Sequence, residues 1–348
     1  YLSLEENTTG SENTALGGRS LEANTTASYN TAIGYASLFT NSTGAQNTAL
    51  GRTALYSNTT ADDNTAIGYN AMYSNTTGAQ NTAVGKDALD ANTTAHDNTA
   101  IGVGALGVLN GGNGKNVAVG NYSLDAATTG YDNTAVGYQA GTAITTGYQN
   151  TAIGKGALAA ATGAVNCTAV GKHALYNCNN NDNVAVGEYA GGACTTGTDN
   201  VFIGKNCGGI TTGVHNILIG AEYTPGDQSN LIAFNNSSQT ISCSAGASSW
   251  SFSSDGRDKT DIIDLSLGLG FINKLTPRKF RWDYRDKTRF PVNSKEKPEI
   301  LIQSGFIAQE VQEVLKEENA EYTAIVNDND LDALEVSSTG MIPMLVKA

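Results

Sequence analysis

The chain has 348 residues and a net charge of −13, with 40 glycines and only 15% charged residues. That acidic balance excludes nucleic acid as a partner, which needs clustered Lys and Arg to displace counterions from phosphates, and it opposes docking on anionic lipid. No apolar run approaches the ~18 residues of a membrane span, so no membrane insertion is expected. The length suggests two domains, and composition makes them unlike each other. Residues 1–250 hold 16 acidic and 7 basic side chains, whereas 251–348 hold 17 and 13. Tyr1 already stands inside a repeat, so no leader is expected in this stretch.

The motif Asn-Thr-Ala-(Ile/Val/Leu)-Gly, with variations, starts at 13, 30, 47, 64, 81, 98, 116, 133, 150, 167, 183, 200 and 216. A 17-residue period, drifting by at most one, means stacked structural units. Within 30–46, Thr31-Ala32-Ile33 alternates as a short strand. Ala36 and Leu38 form a second apolar stretch, and Asn41-Ser42-Thr43-Gly44-Ala45-Gln46 is turn chemistry. Seventeen residues are too few for a βαβ unit. The period therefore predicts a coil of two short strands and two turns, repeated at about 4.8 Å to give a rod of roughly 60 Å. The glycine that closes each motif, from Gly17 to Gly220, fits a corner that tolerates no side chain or needs a positive φ. The inward residues are expected to be Ala, Val, Ile and Leu. So thin a core, with a second apolar stripe outside it, predicts a symmetric homo-oligomer.

This repeat resembles the head repeats of trimeric autotransporter adhesins, over roughly residues 10–235. The resemblance implies a mainly β fold, a homotrimeric parallel β-roll or solenoid of about thirteen coils.

Three further patterns ride on the repeat. Asn-Thr-Thr or Asn-Ser-Thr recurs at Asn7, Asn24, Asn41, Asn58, Asn75 and Asn92. These are formal glycosylation acceptors, but stacked asparagines capping each turn explain them better. Cys178 and Cys194 occupy equivalent positions of successive repeats and are expected to stack, either as buried thiols or as a disulfide. The five cysteines lack metal-ligand spacing and only three histidines accompany them, so no zinc site is expected. No phosphate loop or paired-carboxylate site stands out either, and no cofactor is expected. Tyrosines such as Tyr35, Tyr56, Tyr69, Tyr73 and Tyr138 recur near the turns, suited to stacking on sugars or to packing between subunits.

From about 236 the repeat dissolves. Residues 236–253 read as a linker and 254–348 as a small α+β domain. Leu267, Phe271 and Leu275 predict a helix that Pro277 stops at Thr276. Lys279–Tyr284 alternates as a strand, and Ile307, Val311, Val314 and Leu315 predict a second helix. Met341–Ala348 begins a third.

The elements Ser254-Asp255-x-Arg257-x-Lys259, then Leu267-Gly268-Leu269-x-Phe271-Ile272-x-x-Leu275-x-Pro277, then Gly305-Phe306-Ile307-Ala308-Gln309-Glu310-Val311 resemble the C-terminal intramolecular chaperone of phage endosialidases, tail spikes and tail fibres. The resemblance implies a domain that trimerises, drives folding of the fibre before it, and releases itself through a Ser-Lys dyad. Ser254 is then the nucleophile and Lys259 the general base, with Asp255, Arg257, Gly305, Gln309 and Glu310 as supporting motif residues. A serine hydroxyl needs a base before it can attack a peptide carbonyl, and a lysine serves only if burial lowers its pKa. At most this is a single-turnover endopeptidase acting on itself. The expected protein is a homotrimeric virion tail fibre or appendage that binds a host-surface glycan or protein receptor. The rival expectations are a cell-surface adhesin built from the same modules, and the shaft of a glycan-degrading tail spike.

Overall fold

Each 17-residue repeat closes into one coil, and successive coils stack through backbone hydrogen bonds. The structure is a computed structural model. It describes residues 1–235, 240–244, 251–252, 267, 269–280, 303–318, 326–327 and 335–336. The chain divides into two compact units, Tyr1–Ser254 and Asp255–Ala348.

The first unit is a β-solenoid of about thirteen turns. Its strands run in chain order from β1 (Thr14–Leu16) and β2 (Thr31–Ile33) to β13 (Ile217–Ile219), each three residues long. All are parallel and in exact repeat register, Ala15 opposite Ala32 and so on along the rod. β14 (Leu231–Asn235) adds in parallel, and β15 (Thr240–Ser244) and β16 (Ser251–Phe252) then add antiparallel. The stretch 236–253, expected as a linker, thus contributes two strands to the same sheet.

Each coil holds one strand, not the two expected. Ala36 and Leu38 instead take left-handed backbone, with φ of +52° and +49°, between residues of ordinary φ; the same pair recurs as Thr53 and Leu55, then Asn70 and Met72. Alternating hand turns the chain within a few residues, which an extended strand cannot do. It also keeps the amides along the rod: Ala36 N–H donates back to Gly18 O (2.9 Å) and Leu38 N–H forward to Ala54 O (3.0 Å). A left-handed residue other than glycine costs about 1–2 kcal/mol. Here a buried N–H and C=O would otherwise go unpaired, which costs at least as much.

The strand's aliphatic residue points out, contrary to expectation. Three residues alternate, and only the middle one, Ala32 or Ala66, faces the axis of the coil, where it is fully buried. The opposite wall supplies the bulk through Leu21, Leu38, Leu55, Met72 and Leu89. Where that leucine is replaced by Gly191, Phe202 takes the strand alanine's place. A Cβ built on Gly191 would lie 2.6 Å from the Phe202 ring, and one on Gly208 2.4 Å from it.

Two stacks of asparagine line the remaining walls. Asn24 Nδ2 donates to Asn7 Oδ1 at 2.8 Å, and the pattern continues through Asn41, Asn58, Asn75 and Asn92. The motif asparagines form the second stack, each Oδ1 accepting the backbone N–H of the next, as from Asn30 to Asn13 at 2.9 Å. Nearly all of these side chains are fully buried. Among the described residues no buried side-chain nitrogen or oxygen lacks a hydrogen bond. The motif glycines are required twice over. Gly85 has φ +140°, and a Cβ there would lie 2.4 Å from Gly102 O of the next coil.

In the second unit, α1 (Leu269–Lys274) and α2 (Ala308–Glu317) pack through Leu267, Phe271, Val311 and Leu315. Strand β17 (Arg278–Phe280) pairs antiparallel with β18 (Gln303–Gly305), and β19 (Val326–Asn327) with β20 (Glu335–Val336). Pro277 separates α1 from β17, as its missing N–H and its restriction on Thr276 require. The continuation of the expected strand to Tyr284 and the helix from Met341 lie outside the described residues.

Candidate functional site

The Gly305–Val311 motif is a strand-to-helix corner. Gly305 ends β18 opposite Arg278, Phe306 packs half-buried on the α1–α2 core, and Ile307 stands in extended conformation at the N-cap of α2. Ala308 and Val311 then face the core, while Gln309 is exposed. Glu310 is held in place from β17: Arg278 Nε and Nη2 each donate to its carboxylate at 2.9 Å. This fork-on-fork geometry fixes orientation as well as attraction, and the bond to Glu310 raises the Arg278 pKa. Two turns along, Lys274 at the end of α1 reaches Glu317 (3.3 Å), the last residue of α2, and its C-cap Glu318 (2.6 Å). Sequence reasoning missed Arg278 and Lys274. Their partners lie 32 and more residues away, and no local pattern joins them.

A cleft lies between these elements, lined by Lys274, Thr276, Arg278, Phe306, Glu310 and Glu313 among others. Of the seven motif residues, the structure brings Gly305, Gln309 and Glu310 together. Ser254, Asp255, Arg257 and Lys259 lie outside the described residues.

Residues 254–319 match the family described as Chaperone of endosialidase. The match begins on Ser254 and takes in the corner, α1 and α2. No curated protein and no solved structure matches the chain.

The shaft's other candidates resolve into structure. Asn24, Asn41, Asn58, Asn75 and Asn92 are buried in the first stack, their amides already donating within the rod, so the folded shaft offers none of these five for glycosylation. Cys178 and Cys194 stack on adjacent coils with Sγ atoms 3.8 Å apart, as the register requires, and are free thiols. Their hydrogen bonds and burial hold Cys167 and Cys194 well above the usual thiol range, and burial pushes Cys207 up to about 11. Thiols raised in this way are inert nucleophiles, whereas Cys178 is lowered by its hydrogen bonds with Cys167 and Cys194. Among the described residues no cluster of three or more Cys, His, Asp or Glu could hold a metal ion. The aromatics form short ladders matched to the coil spacing: Phe39, Tyr56 and Tyr73 stack at 5.0 Å, and Tyr131 on Tyr148 at 4.8 Å.

Proposed function

We propose that this chain is a segment of a homotrimeric fibre, a virion tail fibre or appendage that attaches to a host surface through a glycan or protein receptor. Its C-terminal domain sets three chains in register, promotes folding of the shaft and then removes itself by autoproteolysis beside Ser254. The observation that carries this reading is the order of parts. About thirteen stacked coils run up to a chaperone-family match that begins on the serine itself.

In this reading Lys259, neutral because burial lowers its pKa, takes the Ser254 hydroxyl proton as Oγ attacks a neighbouring peptide carbonyl. An ester forms, the peptide nitrogen leaves with the proton returned by the lysine, and water hydrolyses the ester. Burial of Lys259 that arises only in the assembled trimer makes the cut a report on correct folding. Asp255, Arg257 and Gln309 support the site, and Gly305 with the Glu310–Arg278 pair holds the corner on which it is built.

A chaperone suits this shaft. Each coil buries its backbone only against the next, and an open end exposes a strand edge that recruits other chains. Cleavage beside Ser254 separates about 250 residues of shaft from about 95 residues of chaperone. On a denaturing gel the wild type is expected to give two bands, while Ser254→Ala and Lys259→Ala each give one full-length band from folded protein. A Ser254→Ala chain still cut at this position would eliminate the Ser-Lys mechanism.

A further inference from the structure

The outward face of the strands is an unpartnered aliphatic column with opposite charges along its two sides. Its third strand residue is Leu, Ile or Val in every coil from β1 to β13, and Leu50, Ile101, Ile153 and Ile203 are each about 40% exposed. The residue just after the motif glycine forms one border. It is Arg52, Lys86, Lys155, Lys172 and Lys205 in five coils, which is five of the seven basic residues before 250. The residue just before the motif asparagine forms the other border. It is Glu12, Asp63, Asp97, Asp132, Asp182 or Asp199 in six coils. These border positions are exposed, and the strand register stacks each set along the rod.

Five residues separate the borders, six steps or at most roughly 20 Å at strand rise. That exceeds the screening length of about 8–10 Å at ordinary salt, so the two edges do not neutralise one another within a chain. Nor does the backbone dictate the pattern. The residue before the asparagine is left-handed, which favours Asn or Asp, yet Gln46, Gln80 and Lys115 hold the same φ. The residue after the glycine carries no such constraint.

We propose that this face docks on the same face of further copies of the chain, all pointing the same way, with the basic edge of each subunit against the acidic edge of the next. Rotation about an axis along the rod brings unlike edges together and buries the aliphatic column between them. Turning one copy end over end brings like edges together. The charge pattern therefore selects parallel assembly and rejects antiparallel assembly, while the aliphatic column supplies the burial. A heterologous contact of this kind forms a ring when its rotation closes, and closure after three copies gives the trimer. The inference rests on the oligomeric reading above and adds to it the surface, the polarity and the residues that choose them.

Charge exchange tests it. One full-length variant carries Lys155→Glu, Lys172→Glu and Lys205→Glu. A second carries Asp132→Lys, Asp182→Lys and Asp199→Lys, and a third carries all six. Glu188 and Lys115 already stand in the lysine and aspartate columns, so the backbone accepts either sign at both places. Light scattering at low ionic strength should show the wild type as an oligomer. Each single-edge variant should need on the order of tenfold more protein for half-assembly. The six-site variant, whose edges are exchanged but again complementary, should return toward the wild type. An unshifted single-edge variant, or a six-site variant that does not recover, overturns the edge pairing and leaves the oligomer standing. A monomeric wild type overturns both. If circular dichroism shows a swapped chain unfolded, Lys155→Gln, Lys172→Gln and Lys205→Gln together remove attraction without adding repulsion. A smaller rise in the half-assembly concentration is expected of that variant, and no rise overturns the pairing.

Discussion

At the scale of single residues, the glycines divide by what their neighbours demand. Gly85 combines φ +140° with a Cβ position 2.4 Å from the next coil's carbonyl oxygen, so a methyl group there must push two coils apart. Gly163 has ordinary φ and no atom within 4 Å of its Cβ position. Gly85→Ala is expected to cost about 3 kcal/mol or more, through strain and lost hydrogen bonds between coils. Gly163→Ala is expected to be neutral or to stabilise by about 0.5–1 kcal/mol, by restricting the unfolded chain. Urea titrations of the two variants check this, and equal effects would mean that the coils are not packed as described. Asp227 decides in a different way. It accepts the N–H groups of Thr211, Thr212 and Gly213 and the Thr212 hydroxyl, standing where earlier coils offer the carbonyls of a neighbour. These bonds hold its carboxyl well below the usual range. Because the folded pKa is depressed, its stabilisation is complete above the unfolded value of about 3.9 and is lost as the pH falls through the folded value. Amide exchange at residues 211–213 should therefore be faster in Asp227→Ala than in the wild type near neutral pH. The ratio should hold down to about pH 4 and narrow below it. A ratio unchanged to pH 2 would mean that the carboxylate is not the cap.

At the scale of the coil, one inward column changes character along the rod. It is Asn24, Asn41, Asn58, Asn75 and Asn92 in the first half and Leu109, Ala127, Ile144, Ala161, Cys178, Cys194 and Ile210 in the second, all fully buried. A stack of asparagines is satisfied only while unbroken, since each amide donates to the one before. The apolar stack carries no such condition, and it packs by size. Ile144 fills the space beside Gly141, and Phe202 fills that beside Gly191 and Gly208. The C-terminal coils therefore have the more hydrophobic core, on the side of the chain that leads to the chaperone-family segment.

At the scale of the whole molecule, the shaft has a self-contained interior and an exterior face that is not self-contained. Coils close their own hydrogen bonds, yet the aliphatic column from Leu16 to Ile219 stays part-exposed along the length of the rod. A folded shaft of this kind persists once its faces are covered, whereas a lone chain exposes the column while it is still nucleating. Residues 1–253 expressed without the rest are expected to aggregate or stay unassembled. The same residues released from the full chain by its own cut are expected to remain folded and oligomeric. Sedimentation of the two preparations compares them directly, and a truncated chain that assembles as well as the released one removes the need for a chaperone.

The 17-residue period alone determined the solenoid, because a repeat so strict and so short leaves stacking in register as the way to satisfy every coil's backbone. It also determined the glycine corners, the asparagine turn ladder and the Cys178–Cys194 contact, each of which follows once equivalent positions lie one above another. Only the tertiary structure decided which way the strand faces. Thr31-Ala32-Ile33 alternates equally well in either sense, and the narrow interior, with room for Ala32 and a leucine from the far wall, turns Ile33 outward. The left-handed Ala36 and Leu38 were likewise hidden from the sequence, since their own preference opposes that conformation and hydrogen bonds from Ala36 to the coil before and from Leu38 to the coil after impose it. In the second unit the helices were readable from Leu267, Phe271 and the Ile307–Leu315 spacing, which are local patterns. The Arg278–Glu310 clamp was not, because it joins a strand and a helix that only packing brings within reach.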